Sequence, residues 1–423
     1  MAFQQALSGL NSASKSLDVI GNNIANANTT GNKLARAEFG ALVSAGTSEK
    51  AAGLGVEVSA VTQQFSQGNI SITGNNLDIA INGGGFFQMQ LDDGTTAYSR
   101  DGQFKLDKEG YMVSNAGSKV MGFTTDVEGV KTSSTPAALQ MPTSAPIAAS
   151  ATSAVTAAFN LNSADTTVYS ASNSATPLNR YGTSLNVYDS QGNAVAFNLA
   201  FTRAASTAAD NTTTPVTPAL DNWDVRDAST GNVLTYTDDN GATQNLQLQF
   251  RANGALYAPN ASPTVTISNA SSITNPTLSF SLDLTGATQY ATSFAVSSLT
   301  QDGYTSGSLT GITINEQGLI KASYSNGQTQ YNGMISLATF RNPQGLQPLG
   351  GNNWAQTFAS GEPTTGQPGS GQFGSTRAGA LEDSNVDLTA ELVSMMTTQR
   401  AYQANAQTIK TQDQVMQSLI NLR

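Results

Sequence analysis

Paired carboxylates are the strongest candidates for chemistry in this 423-residue sequence, because it contains no histidine and no cysteine. Such a chain can form no thiolate nucleophile, no Ser-His-Asp triad, no imidazole-ligated metal site and no disulfide. Acidic pairs at Asp92-Asp93 and Asp238-Asp239 have the residue types that glycosidases use as acid and base. Both pairs precede Gly or Asn-Gly between alternating segments, where Asp caps its own backbone and favours a turn. We therefore predict turns at both pairs and no catalytic residue.

Two further segments resemble ligand-binding loops without meeting their requirements. The segment TDDNGATQNLQ, residues 237–247, lacks the alternate acids and the closing Glu of a calcium loop. The segment INGGGFFQM, residues 81–89, has consecutive glycines like a phosphate loop, but Phe86 and Phe87 follow where a helix with Lys would be needed. We interpret it as a glycine bend that admits two bulky core residues. The sequence thus predicts no metal site and no cofactor.

The composition argues against polyanionic partners. Lys and Arg total 19, Asp and Glu total 29, and the net charge is −10. Charged residues make up 11% of the chain, less than half the usual share of about a quarter, and they form no basic cluster. We therefore expect no nucleic-acid partner. The chain has no run of about 18 apolar residues, so we expect no membrane insertion, and its first residues lack the features of a cleavable signal peptide.

Heptad spacing at both ends of the chain predicts terminal α-helices. The first run extends from Phe3 to Asn28, and Gly31 is a natural stop. The second extends from Leu388 without Gly or Pro, with Asp387 as the predicted N-cap, and a helix from there to the last residue would be about 50 Å long. The predicted apolar seam consists of Phe3, Leu7, Leu10, Leu17 and Ile24 near the start, and of Leu388, Leu392, Met395, Tyr402, Ala406, Ile409, Met416 and Ile420 near the end.

Each predicted seam needs a partner, because one amphipathic helix cannot bury its own apolar stripe. The two ends could pair with each other within one chain, or they could pack mainly against copies of themselves in an assembly. Both arrangements can hold together. The polar seam residues Gln399 and Asp413 would weaken an isolated pair while fixing its register.

Between the helices, short alternating runs separated by Gly, Asn and Asp predict antiparallel strands joined by tight turns. Such runs occur at 77–125 and 311–340, with turns at Gln317-Gly318 and Asn326-Gly327. The block 151–300 differs, because its charged residues are nine Asp and four Arg, with no Lys and no Glu. We predict a separate all-β domain in this block, preceded by a Pro-rich linker at 132–150.

These patterns predict a multidomain, mainly β fold with long terminal α-helices that pair as a coiled coil. One β domain is expected to be built from both halves of the chain, and a second all-β domain is expected to be inserted into it. The predicted boundaries are 1–35 and 380–423 for the helical domain, 36–70 and 360–379 for connecting segments, 71–148 and 300–359 for the discontinuous β domain, and 149–299 for the inserted outer β domain.

Two motifs mark the ends of the chain, SGLNSASKSLDVIGNNIANANTTGNKLARAEF near the start and SNVDLTAELVSMMTTQRAYQANAQTIKTQDQVMQSLINL near the end. Together they resemble the ends of the rod and hook proteins that form the axial family of the bacterial flagellum. Length, the DIAINGGGFF and ATFRNPQGLQPLGGNNWAQT segments and the large inserted block are similar to hook proteins rather than to the shorter distal rod proteins. One departure is Asn32 before Lys33, where the family commonly has an aromatic residue. The residues that match the family's motifs are Asn22, Asn23, Asn26, Thr30, Gly31, Ser384, Asn385, Val386, Asp387, Gln399, Arg400, Tyr402, Asn405 and Ala406.

The resemblance implies a structural protein and not an enzyme, namely a subunit that polymerises with itself into a flexible curved tube. Such a tube acts as a universal joint that transmits torque from the rod to the filament, with terminal helices inside and β domains outside. The implied partners are other copies of the chain, the rod, the hook cap, the hook–filament junction proteins and the flagellar type III export apparatus. The implied location is extracellular, in the hook, after export without cleavage of a signal peptide. No catalytic, cofactor or metal role comes with the matched residues.

Two other interpretations remain open from the sequence. A distal rod protein or another flagellar axial protein would share the terminal motifs. A secreted β-rich adhesin would account for the polar, β-rich middle of the chain and would bind sugar as a monomer. The adhesin interpretation leaves the matched heptad ends unexplained.

Overall fold

The computed structural model describes residues 2–43, 53–142, 146–170, 178, 180–209, 218–237, 242–259, 262–268 and 277–421. The architecture is multidomain and mainly β, with one α-helix near each end of the chain, as predicted. Over the described residues, neither helix is both long and apolar enough to cross a membrane. The chain forms two compact units, of which the first comprises Met1–Ala145, Thr310–Ser323 and Thr329–Arg423, and the second comprises Pro146–Leu309 and Tyr324–Gln328.

The N-terminal segment forms a helix followed by a β-hairpin. Helix α1 spans Ala2–Ala25, and strands β1 (Ala35–Val43) and β2 (Gly53–Gln63) pair antiparallel. The sequence assigned only a connection to residues 36–70. The structure corrects this assignment, since both strands are rich in alternating apolar residues that favour β pairing.

Helix α1 ends at Ala25, earlier than the stop predicted at Gly31. Tighter turns replace the helical bonds in the Asn-rich segment, because the Ala27 N–H donates to the Ile24 carbonyl oxygen at 3.3 Å and the Thr29 N–H to the Asn26 carbonyl oxygen at 3.0 Å. Gly31 has a φ of 71°, and its N–H donates to the Glu382 carbonyl oxygen at 2.8 Å. Its left-handed conformation therefore turns the chain onto the C-terminal segment and does not cap the helix.

Residues 70–138 form short antiparallel strands joined by tight turns. The predicted glycine bend is confirmed, because Gly83 and Gly85 have φ values of 114° and 119° and the following Phe86 and Phe87 are buried. The strands are β3 (Ile70–Ile72), β4 (Ile79–Asn82), β5 (Phe86–Gln90), β6 (Thr96–Ser99), β7 (Phe104–Leu106), β8 (Met112–Ser114), β9 (Lys119–Phe123) and β10 (Ala137–Ala138).

The Pro-rich segment 132–150 is more than a linker. Strand β10 pairs with β9, and Leu139 and Met141 are buried. The prolines restrict this segment to a short edge pairing, while the apolar residues between them still reach the core. The expectation of a linker without a strand was therefore wrong for residues 137–141.

The second unit contains two sheets that share one hydrophobic core. Its strands are β11 (Ala154–Asn162), β12 (Gly182–Tyr188), β13 (Ala194–Arg203), β14 (Leu220–Asp227), β15 (Thr235–Thr237), β16 (Thr243–Asn245), β17 (Gln247–Arg251), β18 (Leu256–Ala258), β19 (Thr264–Ser268), β20 (Thr277–Asp283), β21 (Thr288–Tyr290) and β22 (Ala295–Gln301). One sheet has the order β16-β15-β19-β20-β11-β21, with β22 also on β11, and the other has the order β12-β13-β14-β17-β18. Rings from the two sheets meet in the core, where the ring centroids of Phe159 and Phe201 lie 4.2 Å apart.

Residues 309–382 carry the remaining strands, which are β23 (Leu309–Ile314), β24 (Leu319–Tyr324), β25 (Thr329–Ile335), β26 (Leu337–Thr339), β27 (Gln347–Gly350), β28 (Asn353–Ala355), β29 (Thr364–Gly366), β30 (Ser375–Ala378) and β31 (Ala380–Glu382). The large sheet has the main order β23-β24-β25-β9-β5-β6-β28-β27. Strand β3 pairs with β31, and β4 pairs with β30. Residues 360–382, expected to be a connection and the start of the helical domain, thus contribute strands to the β part of the first unit.

Helix α2 spans Leu388–Asn421 and begins where the sequence predicts. The predicted N-cap is confirmed, because Asp387 Oδ1 accepts the backbone N–H of Thr389 at 2.9 Å and of Ala390 at 3.1 Å. Glu391 lies in the first turn, where its charge favours the helix dipole. The 34 residues of α2 extend about 51 Å.

Candidate assembly site

Helices α1 and α2 pack against each other and run antiparallel. Gly9, early in α1, lies beside Asn405, and Asn23, late in α1, donates to Glu391 Oε2 at 3.3 Å. A Cβ atom on Gly9 would lie 2.8 Å from Asn405 Nδ2, so the two helices approach closely at this point. The predicted pairing of the terminal helices is confirmed.

The buried face of α1 is not the predicted apolar seam. The buried side chains of α1 are Ala6, Ala13, Val19 and Asn23. Of the predicted seam residues, Leu7 is 43% exposed, Leu10, Leu17 and Ile24 are half-buried, and the side chain of Phe3 lies outside the described residues. Small side chains let the helices approach, and the larger leucines therefore stay at or near the surface of the single chain.

Helix α2 leaves its apolar side chains largely uncovered. No side chain is buried over residues 388–418, the part of α2 whose side chains are described. The predicted seam residues Leu388, Leu392, Tyr402 and Met416 are exposed, Met395, Ala406 and Ile409 are half-buried, Gln399 and Asp413 are exposed, and the side chain of Ile420 lies outside the described residues. Val393, Met396 and Val415, which lie outside the predicted seam, are exposed as well. Apolar exposure on this scale marks a surface that another protein covers.

The β1–β2 hairpin adds to this uncovered surface. Phe39 and Leu42 on β1 and Val58 and Val61 on β2 are 37–46% exposed. The hairpin is attached to α1 through Ser8 Oγ, which accepts the backbone N–H of Val56 at 3.3 Å. We refer to α1, α2, β1 and β2 together as the terminal layer.

Two asparagines of the matched motifs hold both ends of the chain at the start of β1. Asn23 Oδ1 accepts the Ala35 N–H at 3.0 Å, and its Nδ2 donates to the Ala35 carbonyl oxygen at 2.8 Å. Asn385 Oδ1 accepts the Leu34 N–H at 2.8 Å, and its Nδ2 donates to the Gln64 carbonyl oxygen at 2.9 Å. Each carboxamide thus accepts from a backbone N–H and donates to a backbone carbonyl oxygen, as the peptide groups of a neighbouring strand do.

A buried ion cluster lies next to these asparagines. Lys33 Nζ is 2.6 Å from Glu382 Oε1, and Arg100 Nη1 is 2.8 Å from Glu382 Oε2, with each side chain at most 4% exposed. Lys33 Nζ also donates to the Ser66 carbonyl oxygen at 2.8 Å, and Glu382 Oε1 accepts the Gly68 N–H at 2.9 Å. We refer to Lys33, Arg100 and Glu382 as the ion cluster.

Burial and the neighbouring charges act in opposite directions on Glu382. Burial favours the neutral acid, but Arg100 and Lys33 outweigh it and hold the pKa of Glu382 below its ordinary value. Burial lowers the pKa of Lys33, and its contact with Glu382 offsets only part of that effect. Glu382 is therefore the ionised acceptor that both cations share.

The other matched residues make local contacts. Thr30 Oγ1 accepts from Gln103 Nε2 at 3.2 Å, and the Thr30 carbonyl oxygen accepts from Asn352 Nδ2 at 2.7 Å. Ser384 Oγ accepts the Val386 N–H at 3.3 Å, just ahead of the α2 cap. On α2, the matched residues Gln399 and Arg400 are exposed and Asn405 is half-buried.

The ion cluster was not predicted from the sequence. Lys33 drew attention only as the residue after Asn32, and Arg100 and Glu382 belong to no motif. The pairing of β3 with β31 brings Glu382 to the segment that follows β2. No local spacing signals a contact between residues that lie so far apart in the chain.

The acidic pair Asp92-Asp93 forms the predicted turn. Asp93 Oδ1 accepts the Thr95 hydroxyl at 2.6 Å and the Thr95 N–H at 2.8 Å, and these bonds lower the pKa of Asp93. The pair Asp238-Asp239 lies outside the described residues. Within the described part of the chain, no group of three or more acidic side chains could hold a metal ion.

Replacing Lys33 by Met is expected to destabilise the first unit, because the buried Glu382 carboxylate loses one of its two cations. We expect the free energy of unfolding, measured by urea titration, to fall by about 3–5 kcal/mol. Arg36→Met is the matched control, because Arg36 pairs with Glu38 at 2.8 Å with its side chain 65% exposed. The control should lose less than about 1 kcal/mol. Equal losses in the two variants would contradict the role of the ion cluster.

The ion cluster is also expected to make the first unit sensitive to acid. The pKa of Glu382 lies below its ordinary value of 4.5, so its contribution is complete above that pH and is lost as the pH falls through the folded-state pKa. Urea titrations between about pH 7 and about pH 3 should show this loss in the wild type. Glu382→Gln should remove that part of the pH dependence, and Glu128→Gln, on an exposed turn of the same unit, should retain it. An unchanged acid dependence in Glu382→Gln would exclude Glu382 as its source.

Models of flagellar protein families match most of the chain. They are Flagella basal body rod protein at residues 3–33, Flagellar hook protein FlgE/F/G D1 domain at 80–157, Flagellar basal body protein FlaE D2 domain at 160–304, and Flagellar basal body rod FlgEFG protein C-terminal at 377–422. The crystal structure of Helicobacter pylori flagellar hook protein FlgE2 has a similar fold, with a TM-score of 0.53 and 14% identity over 74% of this chain and 100% of that chain.

Full-length relatives establish the family. Flagellar hook protein FlgE of Escherichia coli K12 is 41% identical, and that of Salmonella typhimurium LT2 is 40% identical, over 100% of both chains in each case. Flagellar hook protein FlgE of Borreliella burgdorferi is 31% identical over 100% of this chain and 99% of its own. The exposed terminal layer, the domain matches and this full-length identity agree, and the chain belongs to the flagellar hook protein FlgE family, as a structural subunit of the hook and not an enzyme.

Proposed function

We propose that the chain polymerises through its terminal layer into a flexible curved tube, which acts as a universal joint between rod and filament. The observation that carries this proposal is α2, in which no side chain of residues 388–418 is buried. A 34-residue helix with so little burial gains little stability from its own chain. Neighbouring copies supply the missing apolar surface and line the inside of the tube with terminal helices.

The predicted seam residues form the contacts between copies in this proposal. Leu7 of α1 and Leu388, Leu392 and Tyr402 of α2 are each more than a third exposed in the single chain. Covering the exposed part of one such side chain contributes about 1 kcal/mol, so several contacts per subunit together drive assembly. Exposed polar residues within the seam limit the strength of each contact and fix its register.

The β parts form the outer layers of the tube in this proposal, with the second unit as an inserted outer domain. The predicted span of that domain, 149–299, lies within Pro146–Leu309. Residues 151–300 contain no Lys and no Glu, so neutral polar residues dominate this part of the chain. Contacts between such surfaces exchange without breaking strong ion pairs, which suits subunits that slide as the tube rotates. Bending then comes from the β domains, and stiffness comes from the terminal layer.

The proposal adds partners that a hook subunit meets during assembly. These are the rod, the hook cap, the hook–filament junction proteins and the flagellar type III export apparatus. The subunit is exported unfolded, without cleavage of a signal peptide, to an extracellular position in the hook. The absence of cysteine is compatible with this route, because no disulfide can obstruct threading.

The double variant Leu388→Gln, Leu392→Gln is expected to raise the critical concentration for polymerisation at least about tenfold. These side chains are 46% and 45% exposed in the single chain, so the change removes apolar surface that other copies would cover. Sedimentation and negative-stain microscopy measure assembly, and circular dichroism checks that α2 remains helical. The matched control, Leu388→Met with Leu392→Met, keeps the apolar volume and should assemble like the wild type. Normal assembly of the Gln variant would exclude this face as the driving contact.

Removal of the second unit is expected to leave a tube that has lost its curvature. The entering and leaving chains lie side by side, because Ser150 and Tyr304 exchange backbone hydrogen bonds of 3.0 Å in both directions. A short Gly-containing turn between them can therefore replace residues 151–303. Electron microscopy should show straight tubes from the shortened chain and curved tubes from the full chain. Curved tubes from the shortened chain would show that curvature arises elsewhere.

A further inference from the structure

An aromatic side chain, Phe358, projects completely into solvent from the first unit. Its relative exposure is 105%, the highest among the exposed large apolar side chains of the described residues. Nearby aromatic residues behave differently, since Phe86, Phe340 and Trp354 are all buried in one core cluster. The exposed ring thus gains nothing from the fold of its own unit.

Hydrogen bonds hold the turn at residues 357–360 in one conformation. Thr357 Oγ1 donates to the Gly345 carbonyl oxygen at 2.6 Å, and Ser360 Oγ donates to the Thr357 carbonyl oxygen at 2.9 Å. Asn342 Nδ2 donates to the Ala359 carbonyl oxygen at 3.1 Å. The backbone that presents the exposed ring is therefore already ordered. A contact made by the ring loses little further conformational entropy.

The hairpin that precedes the turn is exposed and unsuited to strand addition. Strand β27 lies at the edge of the large sheet, all four of its residues are exposed, and Leu349 is 50% exposed. Pro348 removes a backbone N–H from this edge, which disfavours pairing with a further strand. A partner would therefore meet side chains of this surface, with Phe358 as the main anchor.

The segment that carries Phe358 has no charged side chain of its own. Residues 342–361 are all uncharged, and the exposed Arg341 and Glu362 lie at the two ends of the segment. One cation and one anion give this segment no net charge to attract a strongly charged partner, which would lose hydration against the apolar ring. A copy of this chain suits the surface better, because charged residues make up only 11% of its sequence.

The same hairpin is tied to the terminal layer. Asn352 Nδ2 donates to the Thr30 carbonyl oxygen at 2.7 Å, just after α1, and Trp354 Nε1 donates to Gln63 Oε1 at the end of β2. The rings of Phe65 and Trp354 meet edge to face at 5.4 Å. A contact made by this hairpin is therefore connected directly to the layer through which the chain polymerises.

We propose that Phe358 anchors a second contact between copies of this chain, separate from the contacts of the terminal layer. The inference rests on the proposed function, because it requires a polymer. An open helical assembly is built from heterologous contacts, in which one surface of a subunit meets a different surface of the next copy. A single rigid ring on a neutral surface suits such a contact, and aromatic anchors of this kind dominate interface energies.

The variant Phe358→Ser in the full chain is expected to raise the critical concentration for polymerisation about tenfold or more. Urea unfolding of the monomer should stay unchanged, because the ring is fully exposed in the single chain. Phe358→Leu retains an apolar side chain and should assemble at a concentration closer to that of the wild type. Equal critical concentrations for wild type and Phe358→Ser would overturn the inference.

The absence of native cysteine allows burial of this position to be measured directly. Phe358→Cys, labelled with an environment-sensitive fluorophore and copolymerised as a minor fraction with the wild type, should shift its emission to the blue in tubes but not in monomers. Asp92→Cys, labelled on an exposed turn of the same unit, is the control. A label at position 358 that stays in water within tubes, or a shift of equal size at the control, would overturn the inference.

Failure of the inference and failure of the proposed function give different results. A wild-type chain that forms no tubes, even on seeds of isolated hook, would overturn the proposed function and the inference together. Wild-type tubes in which Phe358→Ser assembles normally would overturn the inference alone and leave the surface open to another partner. Wild-type tubes with impaired Phe358→Ser and a blue-shifted label would support both.

Discussion

The shared carboxylate of Glu382 fixes where the two ends of the chain meet. Lys33 follows α1, Arg100 follows β6, and Glu382 closes the last strand before α2, so three separate parts of the chain converge on one acid. Removing these charges from water costs free energy, which their ion pairs and hydrogen bonds offset. The carbonyl oxygens of Ser66 and Gly83 accept from Lys33 and Arg100, and the Gly68 N–H donates to Glu382, while Arg100 Nε is buried without a partner. Because these bonds are directional, they define the orientation of each segment as well as its position.

Polar bonds help to connect the terminal layer to the β part. Asn385, just before α2, binds backbone groups of Leu34 and Gln64, and Trp354 Nε1 donates to Gln63 Oε1 at the end of β2. Hydrogen bonds and ion pairs are directional, so they set the angle at which the helices leave the β part. Apolar contacts are less directional, and this chain leaves many of its larger apolar helix residues uncovered for other copies. Polar bonds thus orient the segments within one chain, and in the proposed assembly apolar contacts join the chain to other copies.

Local patterns predicted local structure well. Heptad spacing and Asp387 placed the start of α2 correctly, and the glycines before Phe86 and Phe87 predicted a bend with two buried rings. The predicted connection at 36–70 does not include the β1–β2 hairpin, although the residues of both strands alternate. The ion cluster could not be predicted, since its members meet only after distant strands have paired. The heptad spacing of large apolar residues also gives no sign of the small residues Ala6 and Ala13, which are buried in the single chain.

The predicted seam of α1 and its buried face differ because heptad spacing does not specify the partner of a helix. Heptad spacing of large residues is a signal for helix packing in general, and it does not specify which chain supplies the partner. In the single chain, Ala6 and Ala13 are buried while Leu7 stays exposed, so α1 presents two faces with different tasks. Helix α2 approaches α1 closely at Gly9, and in the proposed assembly the leucine face contacts other copies. Under that proposal the sequence of α1 encodes both faces, and its stronger periodic signal belongs to polymerisation.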